Sequence, residues 1–211
     1  MAWKFIDRAR GYAGPSIWVC YPHTTKWDAV LILTTGWLSG SRLLTLVKEQ
    51  ECVGVQGALL RAAGCLPVDP RGGCQTVDWV LSRWSRSRHR SLALSPEGRI
   101  EAVPYWRTGF YVLSLVTGVP VTYSWMDYER RLAVREAPVW MTCDPARDLA
   151  IAQSLMREAR ALYPPKVGPI QFREGWAIDE VRLERQRQRW RSTRGGLFDQ
   201  AGSAIDRAAK L

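Results

Sequence analysis

Ile17-Trp18-Val19-Cys20-Tyr21-Pro22-His23-Thr24-Thr25-Lys26-Trp27-Asp28 is the stretch on which the fold turns. Its apolar run is too short for a helix and lacks the alternation of a half-buried strand. Ile17–Tyr21 therefore reads as a short buried strand, stopped by Pro22. A helix is predicted to follow from about Trp27. Downstream, Leu43–Val47 reads as strand, Val55–Ala63 as helix, and Leu66–Val68 as an extended piece before a Pro70-Arg71-Gly72-Gly73 turn. Thr76–Arg83 reads as helix, with Val77, Val80, Leu81 and Trp84 at three-to-four spacing. Ser91–Ser95 follows as strand, Trp106–Thr117 as helix, Val119–Trp125 as strand, Arg131–Trp140 as its antiparallel neighbour, and Ala146–Leu162 as helix. Strands alternating with helices predict an α/β fold, a single layered domain with a mixed, partly parallel sheet flanked by helices.

Composition agrees with one sizeable core. The chain has 211 residues, 46% of them hydrophobic and 24% charged, which excludes a disordered segment. Residues 1–175 read as the domain and residues 176–211 as a basic helical tail packed on it or extending from it. The tail stands out because Glu180–Arg194 holds six Arg against two Glu. Overall, 30 Lys plus Arg against 20 Asp plus Glu give a net charge of +10. A partner presenting negative charge is therefore expected: phosphates, an acidic protein face or an anionic membrane. Twenty-five of the basic residues are Arg, a bias that both phosphate recognition and genome composition produce.

The N-terminal Met1–Gly11, with Lys4, Asp7, Arg8 and Arg10, lacks the apolar centre of a signal peptide. Ala29–Val47 is interrupted by Thr34, Thr35, Gly36, Ser39, Gly40, Ser41 and Arg42, and falls short of the roughly 20 apolar residues of a spanning helix. Cys20, Cys52, Cys65, Cys74 and Cys143 are odd in number and contain no Cys-x-x-Cys, against a disulfide framework or a zinc site. Reduced thiols, no metal and a cytoplasmic chain are the expectation, with attachment to the inner face of the membrane left open.

His23 and His89 are the only histidines. His89 lies among Arg86, Arg88 and Arg90 and reads as a solvated loop residue. His23 follows a strand's carboxyl end, where open α/β sheets place their ligand sites. Asp28 follows five residues later, and a carboxylate beside an imidazole fixes its tautomer and stabilises the imidazolium formed on proton abstraction. On one helix, residues five apart diverge by about 140°. The pair can meet only with His23 in the loop and Asp28 in the helix's first turn. The other reading of Asp28 is as a helix-start residue with His23 merely nearby.

A second constellation runs in order after it: Ser95-Pro96-Glu97-Gly98-Arg99-Ile100, Trp106-Arg107-Thr108-Gly109-Phe110, and Val119-Pro120-Val121. Between the two lie Lys48, Gly57, Gly64 and Leu66-Pro67-Val68-Asp69. Taken together, this order resembles the glycerolipid acyltransferase family of the lysophosphatidic acid acyltransferase type, with its H-x-x-x-x-D first motif and F-P-E-G-T-R-S third motif. The resemblance covers Trp18–Asp127. It implies an acyltransferase in which His23 takes the proton of an acceptor hydroxyl attacking an acyl thioester, while Asp28 holds the ring. It further implies that Glu97 and Gly98 bind the acceptor and shape the site, with Lys48 and the third motif's Arg as candidates for an acceptor phosphate. No cofactor is implied, only acyl-coenzyme A or acyl carrier protein as co-substrate.

The sequence departs from that pattern at two cations. Arg99 stands where the family has Thr and Ile100 where it has Arg, and Pro70 separates Asp69 from Arg71. Arg71, Arg99 or Arg107 could reach the same anion across a one-residue shift. The departures equally fit a phosphate-free acceptor, such as an amino lipid or a specialised metabolite, or an acyl-binding protein without turnover. Trp27, Trp37, Trp106 and Trp125 lie around the motifs and suit an acyl tunnel, a lipid interface or plain core packing. A basic nucleic-acid-binding module is the reading from another class. It is supported by the Arg runs Arg83–Arg90 and Arg182–Arg194 but lacks any recognition signature.

Overall fold

The computed structural model describes residues 2–69 and 71–193. Pro70, Arg194 and the rest of the tail named above lie outside the described residues. The strands are β1 (Lys4–Asp7), β2 (Ile17–Tyr21), β3 (Leu43–Lys48), β4 (Cys65–Val68), β5 (Ser91–Leu94), β6 (Val121–Asp127) and β7 (Leu132–Arg135). The α-helices are α1 (Lys26–Leu38), α2 (Gly54–Ala62), α3 (Cys74–Ser85), α4 (Gly109–Thr117), α5 (Pro145–Leu155) and α6 (Glu180–Thr193).

The strands form one seven-stranded sheet in the order β1-β7-β6-β2-β5-β3-β4. Neighbours pair in parallel except β6 and β7, which are antiparallel. The fold is thus α/β with a mixed, mostly parallel sheet. β2 lies between β6 and β5, and Ile17, Trp18 and Val19 are wholly buried, which is why this strand reads as an unbroken apolar run. From β2 the chain moves outward to β3 and β4. It then returns to insert β5 beside β2 and continues to β6 on the other side. Right-handed crossovers place α1 and α2 on one face of the sheet and α3 and α4 on the other. The two cores agree: Val77, Val80, Leu81, Trp84, Phe110 and Leu113 pack on one face, while Ile32 packs with Trp18, Leu43, Ala93 and Met126 on the other. The loops after β2 and β5 therefore diverge to opposite faces, opening a crevice at the carboxyl ends of the two central strands.

Several boundaries differ from the sequence reading. Trp106–Thr108 are not helical: the N–H of Trp106 donates to Gln171 O and that of Arg107 to Pro96 O, so α4 begins only at Gly109. The strand expected over Val119–Trp125 runs Val121–Asp127. Its neighbour is limited to Leu132–Arg135, with a single further bridge from Val139 to Val121. The helix expected over Ala146–Leu162 ends at Leu155 because Arg160 leaves it to bridge Asp127 beside β6. Lys4–Asp7, which carries no strand signal, pairs with β7 through its backbone, and Arg135 bridges the two strands to Asp7 at 3.5 Å.

The basic stretch 180–193 lies on α3 and α4. Leu183, Gln186 and Trp190 are buried, Arg182 Nη2 is 3.0 Å from Asp78 Oδ2, and Arg187 Nε donates to Leu115 O at 2.9 Å. Ala29–Val47 divides into α1 and β3, and no helix among the described residues is long and apolar enough to cross a membrane. Cys20, Cys52 and Cys65 are buried free thiols, and Cys143 is exposed and free. Trp106 and Trp125 are core residues, whereas Trp27 and Trp37 are exposed.

Candidate active site

His23 sits in the short loop after β2, behind a cis Tyr21–Pro22 peptide. Thr25 caps α1: its hydroxyl accepts from the helix's first N–H groups, and the carboxylate of Asp28 returns the interaction to the N–H of Thr25 at 2.9 Å. The same Oδ2 accepts from the N–H of Thr24 at 2.7 Å and lies 3.4 Å from Nδ1 of His23. Asp28 is thus both the helix-start residue and the partner of His23, and the two readings of its spacing are one structure. The imidazole contact is longer than an ordinary hydrogen bond.

Two residues complete this arrangement from other elements. Tyr128, just after β6, donates its hydroxyl to Oδ1 of Asp28 at 2.5 Å and packs edge-on against Trp3, ring centroids 5.0 Å apart. Burial, and then the carboxylate it faces, push the Tyr128 phenol far above its ordinary value, so it stays a donor. Glu97, just after β5, accepts the N–H of His23 at 2.6 Å through Oε2 and is 1% exposed. Burial raises its carboxyl to about 7; the N–H groups of His23 and Gly168 oppose the rise, and the charge of Asp28 adds to it. Glu97 therefore holds the loop that carries His23.

Of the cations expected to meet an acceptor phosphate, Lys48 pairs in register with Val68, next to Asp69. Lys48, at the end of β3, lies beside Glu51, whose carboxyl is held below its usual range first by the hydrogen bond from Lys26 and more weakly by Lys48. Arg71 instead binds Asp69: its N–H and its Nε both reach Oδ1, at 2.9 and 3.2 Å. These contacts lower the Asp69 carboxyl, with a smaller contribution from Arg107. Arg107 also lies across Gly98, whose φ is +66° and where an added Cβ would come within 2.6 Å of Nε. Gly98 is therefore required twice, for its left-handed backbone and for its missing side chain. Arg99 is exposed. His89 is half-buried rather than solvated, close against Gly64, and burial lowers its imidazole below the ordinary value.

Sequence reasoning missed Tyr128 and the Thr25–Asp28 capping box. The box was legible, since Thr25-Lys26-Trp27-Asp28 has the Thr-x-x-acid form; Tyr128 carried no local signal, because its partner is 100 residues away. No group of His, Cys, Asp and Glu suited to a metal ion occurs among the described residues. Compared with family models, curated proteins and solved structures, the chain gives no match.

Proposed function

We propose that this protein is an acyltransferase of the glycerolipid type, moving a fatty acyl group from acyl-coenzyme A or acyl carrier protein to a hydroxyl of a lysophospholipid-like acceptor. The observation that carries the reading is His23 Nδ1 3.4 Å from a carboxylate fixed by three further donors, at the carboxyl end of the central strand. With Nδ1 facing Asp28, the ring's proton belongs on that nitrogen and Nε2 is the base. Nε2 takes the acceptor hydroxyl's proton as its oxygen attacks the thioester carbonyl. The tetrahedral intermediate collapses with loss of the C–S bond, and the departing thiolate receives that proton. The products are an ester and a free thiol. Asp28 stabilises the imidazolium in between, and a positioned base of this kind supplies about 10²–10⁴-fold.

The acceptor's headgroup is a separate matter. Arg71 is engaged by Asp69, and Arg99 and Ile100 stand where the family pattern has Thr and Arg, which favours a phosphate-free acceptor as the second reading. Arg107, beside Gly98, supports the phosphate reading. The testing experiment incubates the full chain with palmitoyl-coenzyme A or palmitoyl carrier protein and paired acceptors with and without phosphate, following thiol release and product mass. An acylated product identifies the acceptor class. Failure of every donor and acceptor pair rejects the proposal.

A further inference from the structure

A helix that is apolar all round is normally buried on all sides. α1 departs from that rule. Beyond Lys26 and Asp28 in its first turn it carries no charged residue, and its inner face packs Ile32, Thr35 and Gly36 on the sheet. Its outer face exposes Trp27, Val30, Trp37 and Leu38, Trp37 to 79%. α2 has Arg61 as its one charged residue and Gly57 as its one buried residue, and it exposes Leu59 and, to 80%, Val55. Both helices lie on the same side of the sheet, and Lys26 Nζ is tied at 2.9 Å to Glu51 in the turn that leads into α2. Val53, just before α2, is exposed as well; the other exposed large apolar side chains are Trp3, Trp79, Tyr105, Trp140, Leu162, Tyr163 and Val181.

We propose that the outer face of α1 and α2 is a membrane-docking surface that lies in the interfacial layer of an anionic bilayer. The surface stands on exposure and composition alone; the choice of a bilayer as its occupant rests on the acyl-transfer reading. Three features select lipid. Trp27 and Trp37 stand ten residues apart on α1, about 15 Å along the axis, and tryptophan is the side chain favoured at the boundary between headgroups and acyl chains. The net charge of +10 draws the chain toward an anionic surface, and Arg42 and Arg61 are exposed on or beside the two helices, together with the Lys26–Glu51 pair and Glu49. The face also begins at the first turn of α1, which holds Asp28, so docking brings the His23 loop to the level at which lipid acyl groups and lysolipid hydroxyls are found.

The test is flotation of the full chain with vesicles of phosphatidylcholine, with and without phosphatidylglycerol, in the absence of substrate. Binding that is stronger to the anionic vesicles and weakened by salt is expected. Trp37→Glu and Leu59→Glu, both on exposed positions, should each weaken binding about tenfold. Val181→Glu, exposed on α6, and His23→Ala should bind like the unsubstituted protein, and both docking variants should keep turnover on a water-soluble short-chain acceptor. Absence of vesicle binding, or binding unaffected by Trp37→Glu and Leu59→Glu, overturns the proposal and leaves the acyltransferase reading standing. Self-association without vesicles that the same two variants abolish also overturns it, in favour of a second copy of the chain. Vesicle binding without acyl transfer keeps the surface and removes the proposed enzyme.

Discussion

Replacing Glu97 by Gln isolates one titration. The carboxyl is 1% exposed, and burial raises it from an ordinary 4.5 to about 7. Between those values the folded protein holds a proton that the unfolded chain has released. Stability must therefore fall as pH rises through that window and level off above about 7. For a single group shifted this far, the loss between about pH 5 and about pH 8 is about 2–3 kcal/mol. The amide of the Glu97→Gln variant keeps an oxygen for the N–H of His23 but has no proton to lose, so the variant lacks this component. The assay is urea unfolding of both proteins across that pH range, taking the difference between them. Every other titrating group contributes to both proteins and cancels, and a constant offset from the amide's altered hydrogen bonding does not affect the slope. The stability of the unsubstituted protein relative to Glu97→Gln should decline by about 2–3 kcal/mol from the acid to the alkaline end. A difference that stays flat to within about 0.5 kcal/mol would refute the buried, proton-holding assignment of Glu97.

Tyr128→Phe removes the donor to Oδ1 of Asp28 while keeping the ring against Trp3. A buried carboxylate oxygen left unsatisfied should cost about 1–3 kcal/mol in thermal or chemical unfolding, and turnover should drop about tenfold with little change in KM. Unchanged turnover would show that Asp28 needs no support from β6. Gly57→Ala places a Cβ 2.2 Å from the backbone carbon and oxygen of Cys52, so the α2 turn must open. A loss of about 2–3 kcal/mol is expected in denaturant unfolding. Gly40→Ala, on the α1–β3 turn, meets no atom within 4 Å and bears only the strain of its left-handed backbone, so it should lose about 1 kcal/mol.

How much of this was readable in the chain depends on how local each cause is. β2 and α3 declared themselves because burial on both faces and three-to-four spacing are properties of short windows. β7 was placed correctly as the antiparallel neighbour of β6, though over-extended, whereas β1 was not found, since Lys4–Asp7 becomes a strand only by pairing with residues more than 120 positions away. The over-long helix at Ala146–Leu162 failed for the same reason: the backbone of Arg160 pairs with Met126 and Tyr128 at the end of β6, and nothing in the intervening sequence marks it. At the site, His23, Asp28 and Glu97 were found by type and order, and their meeting follows from the crevice between β2 and β5. Glu97's inward direction was not legible, because a motif gives a position and not a side chain's aim. That Arg71 turns onto Asp69 was likewise not legible, because a motif does not say which carboxylate a cation meets.

The central claim is that His23, held by Asp28, is a base acting on an acceptor hydroxyl. Its most direct test is steady-state acyl transfer by the unsubstituted protein and by His23→Ala, with the fold of each checked by near-ultraviolet circular dichroism. On this account the unsubstituted protein yields an acylated product with one thiol released per ester, and His23→Ala, folded alike, loses about 10²–10⁴-fold in kcat. Full transfer activity in a folded His23→Ala protein would contradict it.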